Sequence, residues 1–198
     1  MNAYRDPAMR HRRRHGPTGD NDLESFRPWL RDEFVFRCVY CLERETWSNL
    51  VAAFAIDHFS PTSIDPAKRL DYENLLYACR ACNAVKGDQQ VPDPLKVFLA
   101  DDVVVYADGH VEGRSRDAIR LIAAMQLDRP AYIDRRRLIW RMLTTAQQHD
   151  PVLYRQLLGF PKVVPDLSRL RPPSNTKPKG VEHSFHAQRK REELPQTY

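Results

Sequence analysis

The sequence predicts an α+β protein with a small core stapled by a four-cysteine zinc site. A β-hairpin and a helical region are expected to follow the core, with basic, disordered tails at both ends. Three observations carry this. All four cysteines of the 198-residue chain fall in two Cys-x-x-Cys pairs, Cys38/Cys41 and Cys79/Cys82. Apolar runs of strand length lie between and after those pairs, with Asp108-Gly109 marking a tight hairpin turn. From Ser115 onward the apolar residues recur at helical spacing instead.

Residues 1–25 are expected to form a disordered basic arm. There His11-Arg12-Arg13-Arg14-His15 precedes Gly16-Pro17 and an acidic stretch to Glu24, with no apolar periodicity. The core is assigned to residues 26–95. Within it, Phe34-Val35-Phe36 is an aromatic and β-branched run leading into Cys38, and Leu50 to Phe59 is expected to be a strand that ends at Asp57-His58-Phe59. Ser60-Pro61 and Asp65-Pro66 break the chain into a loop, after which Asn74 to Ala78 returns as a strand and Ala81 to Lys86 as a short helix that Gly87 ends. Residues 96–162 are assigned to the hairpin and the helical extension. Val103-Val104-Val105-Tyr106 and His110-Val111-Glu112 flank the hairpin turn, and Ile119, Ile122 and Met125 share a helical stripe with Leu121 beside it. A segment from Ala131 carries Tyr132, Ile133, Ile139, Trp140 and Leu143, and a third, Val152 to Leu158, follows Pro151. Residues 163–198 hold Pro165, Pro172, Pro173, Pro178 and Pro195 among scattered charges and read as a disordered basic tail.

Where the charge lies says more than its total of +5. Residues 1–16 carry a net +4 and residues 165–198 a net +3, whereas residues 17–164 carry −2. A polyanion would therefore be drawn to the tails and to local clusters rather than to the whole surface. Arg135-Arg136-Arg137 is open to two readings, a DNA-backbone cluster or a solvated face. The longest wholly apolar stretch, Leu50 to Ile56, is far shorter than the roughly 18 residues of a membrane span, which excludes a transmembrane protein. The first residues lack the apolar core of a secretory signal, so a cytoplasmic, reducing location is expected.

In such a compartment two Cys-x-x-Cys pairs point to metal. Thiolates two residues apart on a knuckle can bind one tetrahedral Zn²⁺, and two knuckles complete a closed structural site. Buried free thiols have no reason to fall into two identical spacings, and a redox pair needs only one. The zinc closes residues 38 to 82 into one unit, and the chemistry-bearing residues lie within or beside that span: Asp57-His58, Asn74, Asn83 and Lys86. A neutral imidazole is the natural base near pH 7, and a strand end can present His58. Adjacent strand residues face opposite ways, so the strand must twist or end at Asp57-His58. The carboxylate of Asp57 and the amide oxygen of Asn83 are hard donors that suit one Mg²⁺.

The order of these elements resembles the HNH endonuclease family in its zinc-stapled form. The likeness covers roughly residues 30–90: Asp57-His58 at a strand end, Asn74 sixteen residues on, then Cys79-Arg80-Ala81-Cys82-Asn83 and Lys86-Gly87. Asn83 stands where the family name has its last histidine and keeps a metal ligand there. The resemblance implies a ββα-metal core that hydrolyses DNA phosphodiester bonds. In it His58 activates water, Asp57 and Asn83 hold a catalytic Mg²⁺ or Mn²⁺, Asn74 fixes the loop that orients His58, and Lys86 contacts phosphate. An RNA-directed nuclease of the same family fits the spacing equally, because a one-metal site grips phosphate and sugar without reading bases. A non-catalytic zinc-ribbon module binding nucleic acid or protein explains the cysteines but not His58, Asn74 or Asn83. A weaker resemblance is to the HNH effectors of Septu-type anti-phage defence systems, which usually have Glu-His in place of Asp57-His58. It implies a partner ATPase or other regulatory protein, with the helices at 115–160 either docking that partner or simply covering the zinc domain.

Overall fold

A computed structural model describes Tyr4 and residues 13–48, 53–99 and 101–198. Its centre is an antiparallel hairpin of β2 (Phe54–His58) and β3 (Leu75–Cys79), in register from Phe54 opposite Cys79 to His58 opposite Leu75. The start of the expected strand, residues 50–52, lies outside the described residues. β3 runs directly into α3 (Arg80–Lys86), and Gly87 ends that helix at φ 48°, where a residue without Cβ is favoured. Leu75 to Ala78 are buried in succession, so both faces of β3 are covered. α1 (Arg27–Glu33) packs on β3, while α3 packs back across both strands.

After α1 the Phe34-Val35-Phe36 run makes a tight turn. Val35 and Phe36 adopt left-handed φ of 54° and 55°, costly for a β-branched residue, and the Phe36 N–H reaches back to the Arg31 carbonyl at 2.9 Å. This reversal feeds the first cysteine knuckle, closed by Cys38 N–H to Glu43 O at 2.8 Å and Leu42 N–H to Cys38 O at 3.0 Å. α2 (Glu45–Ser48) follows, and its Glu45 carboxylate is held bidentately by Arg31 and by the Tyr77 hydroxyl at 2.7 Å.

Beyond α4 (Pro94–Leu99) the expected hairpin forms as β4 (Val103–Val105) and β5 (Val111–Gly113). Three helices come next: α5 (Arg116–Ala124), whose first turn Ser115 caps, then α6 (Pro130–His149) and α7 (Pro151–Leu158). One apolar core joins the knuckle residues Val39 and Tyr40, the β2–β3 hairpin and the inner face of α5. That inner face is Ala118, Leu121, Ile122 and Met125, and Ile119 is 58% exposed, contrary to the expected stripe. The cause is the neighbouring hairpin: a Cβ on Gly113 would lie 2.6 Å from the Ile119 backbone nitrogen. The helix therefore meets β5 backbone to backbone and turns the Ile119 side chain outward. Among the described residues, no helix is long and apolar enough to cross a membrane.

The expected disorder of both tails is corrected for the described residues. Pro17–Thr18 (β1) pairs with Ser174–Asn175 (β6), and Val164, Leu167 and Phe185 are buried, the last opening α8 (Phe185–Lys190). Two acids at the end of α1 organise this. Glu33 accepts from Arg13 Nη1 and from the backbone N–H groups of Arg14 and His15, each at 2.9 Å. Asp32 accepts from His15 Nε2 and from the Phe185 N–H, each at 2.8 Å. Composition marks such segments as polar and proline-rich; it does not show that their charges find buried partners. Asp32→Ala would strand His15 and the Phe185 N–H without their acceptor, at about 3 kcal/mol. The expected outcome is faster trypsin cleavage in both arm and tail with the zinc core still protected, and an unchanged digestion pattern would refute this account.

Within the arginine triplet only Arg136 is buried, while Arg135 and Arg137 stay partly exposed, yet each has protein acceptors. Arg135 is bound to Glu43 at 2.7 Å, Arg136 is buried and donates to the Gly109 and Leu127 carbonyls, and Arg137 donates to the Asp108 carbonyl and to Asp134. All three guanidinium groups serve to fasten α6 to the hairpin and the knuckle.

Candidate functional site

The four cysteines converge. Cys38 and Cys41 come from the knuckle, Cys79 ends β3 and Cys82 lies in the first turn of α3. Their sulfurs all lie within 4.8 Å of one another, and Cys41 Sγ to Cys79 Sγ is 3.8 Å. A zinc–sulfur tetrahedron with bonds of about 2.3 Å has edges of about 3.8 Å, so the cage fits the ion. Cys79 also caps α3, its Sγ accepting the Cys82 N–H at 3.4 Å. Burial pushes the Cys38 thiol well up, while hydrogen bonds from the other three thiols hold Cys79 far below the usual thiol range. A bound metal deprotonates its thiol ligands outright, so Zn²⁺ in the cage would ionise the sulfurs that burial otherwise keeps protonated. The Tyr132 hydroxyl of α6 lies 3.2 Å from Cys82 Sγ, which ties the helical extension to the outer shell of the metal.

Beside this cage stands a second cluster. Asp57 and His58 end β2 and, as alternation requires, diverge. Asp57 is buried: its Oδ2 accepts from the Tyr40 hydroxyl at 2.6 Å and its Oδ1 lies 3.2 Å from Lys86 Nζ. Burial pushes its carboxyl up, opposed by the Tyr40 hydrogen bond and the Lys86 charge. His58 is half-buried, with Nε2 2.9 Å from the Arg69 carbonyl oxygen. A carbonyl only accepts, so Nε2 carries a hydrogen, and in the neutral ring the lone pair is then on Nδ1. Asn74 secures the loop from which Arg69 comes. Its Oδ1 accepts the Ser60 N–H at 2.7 Å, and its Nδ2 donates to the carbonyls of Ser60 at 3.0 Å and Lys68 at 3.3 Å.

Lys86 needs a correction. As a phosphate contact it would have to face solvent, but it is 1% exposed and its ammonium is spent on Asp57 and on the His58 carbonyl at 2.6 Å. It lies one turn beyond Asn83 on α3, but its own side chain packs inward. Asn83 is half-buried in a groove of about 430 Å³ with Arg80, Arg27, Phe54, Ala55 and Ile56. Among the described residues no hydrogen bond joins it to Asp57. The sequence reading missed Tyr40, the Arg69 carbonyl and Tyr132. Tyr40 stands inside the first Cys-x-x-Cys, where the spacing draws attention only to the cysteines.

Residues 38–89 match the model of the HNH endonuclease family. This segment is similar to HNH endonuclease domains. Its limits are those of the two-knuckle unit, from the first zinc cysteine to just past the end of α3. No curated protein matches the chain, and nothing in the comparisons supports the narrower likeness to Septu-type effectors. In this HNH-like segment the hairpin-helix unit β2–β3–α3 has both its strand end and its helix tied to the four-cysteine cage.

Proposed function

We propose that the protein is a metal-dependent endonuclease that hydrolyses DNA phosphodiester bonds, with His58 as the base. The observation that carries this reading is the hydrogen bond from His58 Nε2 to the Arg69 carbonyl, which selects the tautomer whose Nδ1 can take a proton. Nδ1 removes a proton from a water as its oxygen attacks phosphorus; the bond from phosphorus to the leaving oxygen breaks, and that oxygen is protonated from solvent. Asn74 contributes at one remove, by fixing Ser60 and Lys68 and so the carbonyl that orients the ring.

Asp57 and Asn83 would hold Mg²⁺ or Mn²⁺. The donor set is of the right kind: a carboxylate has about four lone-pair directions, of which Tyr40 and Lys86 occupy two, and the amide oxygen is equally hard. The cation supplies charge neutralisation at the phosphate and the leaving oxygen. Arg80 is exposed on the groove that Asn83 lines, and its charge would attract a phosphate backbone there. Lys86 serves by neutralising the buried Asp57.

The test is purified zinc-loaded protein with supercoiled plasmid, single-stranded DNA and RNA, each with Mg²⁺, with Mn²⁺ and with EDTA. Nicked or linear plasmid with either cation, and none with EDTA, is the expected result. Cleavage of RNA alone would overturn the DNA assignment, and no cleavage of any substrate would favour a zinc-ribbon binding module.

A further inference from the structure

Tyr40 is the third residue of the first knuckle, Cys38-Val39-Tyr40-Cys41, and is fully buried. Packing alone does not require its hydroxyl, since phenylalanine would fill nearly the same space without burying a polar group. The hydroxyl is instead committed to a single acceptor, Asp57 Oδ2 at 2.6 Å.

The opposite oxygen of the same carboxylate meets Lys86, four residues beyond Cys82 on α3. Both groups that grip Asp57 are therefore carried on segments tied to the cysteine cage: Tyr40 is flanked by Cys38 and Cys41, and α3 is capped by Cys79 and contains Cys82. A rigid tetrahedral cage fixes the two segments relative to each other, and the carboxylate is held between their side chains. Outer-shell partners that orient a metal-binding carboxylate typically change metal affinity by about 10–100-fold when removed.

Resting on the reading of Asp57 as a ligand of the divalent cation, we propose that Tyr40 is a positioning residue. Its hydroxyl fixes Oδ2 of Asp57 and so couples the geometry of the zinc cage to the affinity of the catalytic cation site. Tyr40 touches neither substrate nor cation; it acts through Asp57.

The experiment titrates Mn²⁺ into zinc-loaded wild type, Tyr40→Phe and Asp57→Ala, reading free Mn²⁺ by electron paramagnetic resonance, with zinc content and thermal melts recorded for each. Wild type is expected to show a site that Asp57→Ala removes. Tyr40→Phe should retain zinc and fold but bind Mn²⁺ about 10-fold more weakly. Plasmid cleavage by Tyr40→Phe should recover as Mn²⁺ is raised, a rescue that a purely structural defect would not show. Equal Mn²⁺ affinity in Tyr40→Phe and wild type would overturn the proposal, as would loss of zinc or of the fold in that variant. A wild-type protein without an Asp57-dependent Mn²⁺ site would instead overturn the cation reading of Asp57 itself.

Discussion

His58→Ala is expected to lose cleavage by about 10²–10⁴-fold, the usual contribution of a positioned general base, while keeping its zinc and its melting temperature. The separation follows from which atoms of His58 the fold uses. Its backbone carbonyl accepts from Lys86 Nζ and its backbone pairs opposite Leu75, and both features survive in alanine. The imidazole itself is half-buried, and its hydrogen bond to the Arg69 carbonyl lies on the exposed side of the loop. Removing it leaves that carbonyl to water, a change of at most about 0.5 kcal/mol at such a surface position. The check is plasmid relaxation together with zinc analysis and a thermal melt on the same preparations. Undiminished cleavage would remove His58 from the chemistry. A parallel fall of zinc content and activity would show that the histidine supports the fold and would erase the distinction between the two clusters.

The sequence was most legible where chemistry constrains spacing. Two cysteines per knuckle, a carboxylate and an imidazole at a strand end, and a short helix expected over Ala81 to Lys86 and stopped by Gly87 all leave marks a few residues long. The hairpin around Asp108-Gly109 and the helical segments expected from Ser115, Ala131 and Val152, each within one residue of the observed start, were readable for the same reason, since turns and caps are local. What stayed hidden depended on partners far along the chain. Asp32 and Glu33 look like ordinary charges ending a helix, yet they bind His15, Arg13 and the backbone of Phe185, and so order segments that composition describes as polar tails. The arginine triplet stayed undecided for the same reason, since its acceptors are mostly backbone carbonyls, which no side-chain pattern advertises. Within the site, Lys86 has a spacing compatible with either a phosphate contact or an internal ion pair, and its burial beside Asp57 places it inside.

Cys79→Ser is expected to release zinc and melt the core, and it isolates the contribution of the metal more cleanly than an alanine would. Cys79 has two duties: its sulfur completes the cage, and it also caps α3 by accepting the Cys82 N–H. Serine is among the best N-cap residues, so the variant keeps the cap and loses only the soft, ionisable donor. Three remaining thiols hold zinc far less firmly, and apparent zinc binding energies in four-ligand structural sites, about 10–16 kcal/mol, are as large as the whole stability of an ordinary domain, about 5–15 kcal/mol. The loss cannot stay local. Val39 and Tyr40 of the first knuckle share one apolar core with Leu75 to Ala78 and with Leu121, Ile122 and Met125 of α5, so loosening the knuckles exposes the face on which the helical extension rests. Even a modest loss of about 3 kcal/mol would lower the melting temperature by roughly 6–12 °C in a chain of this size. The fall should be accompanied by zinc release to a chromogenic chelator under conditions in which wild type releases none. If Cys79→Ser kept stoichiometric zinc and an unshifted melt, the four-cysteine cage would not be what holds the strand end and α3 together, and the coupling from that cage through Tyr40 to Asp57 would lose its foundation.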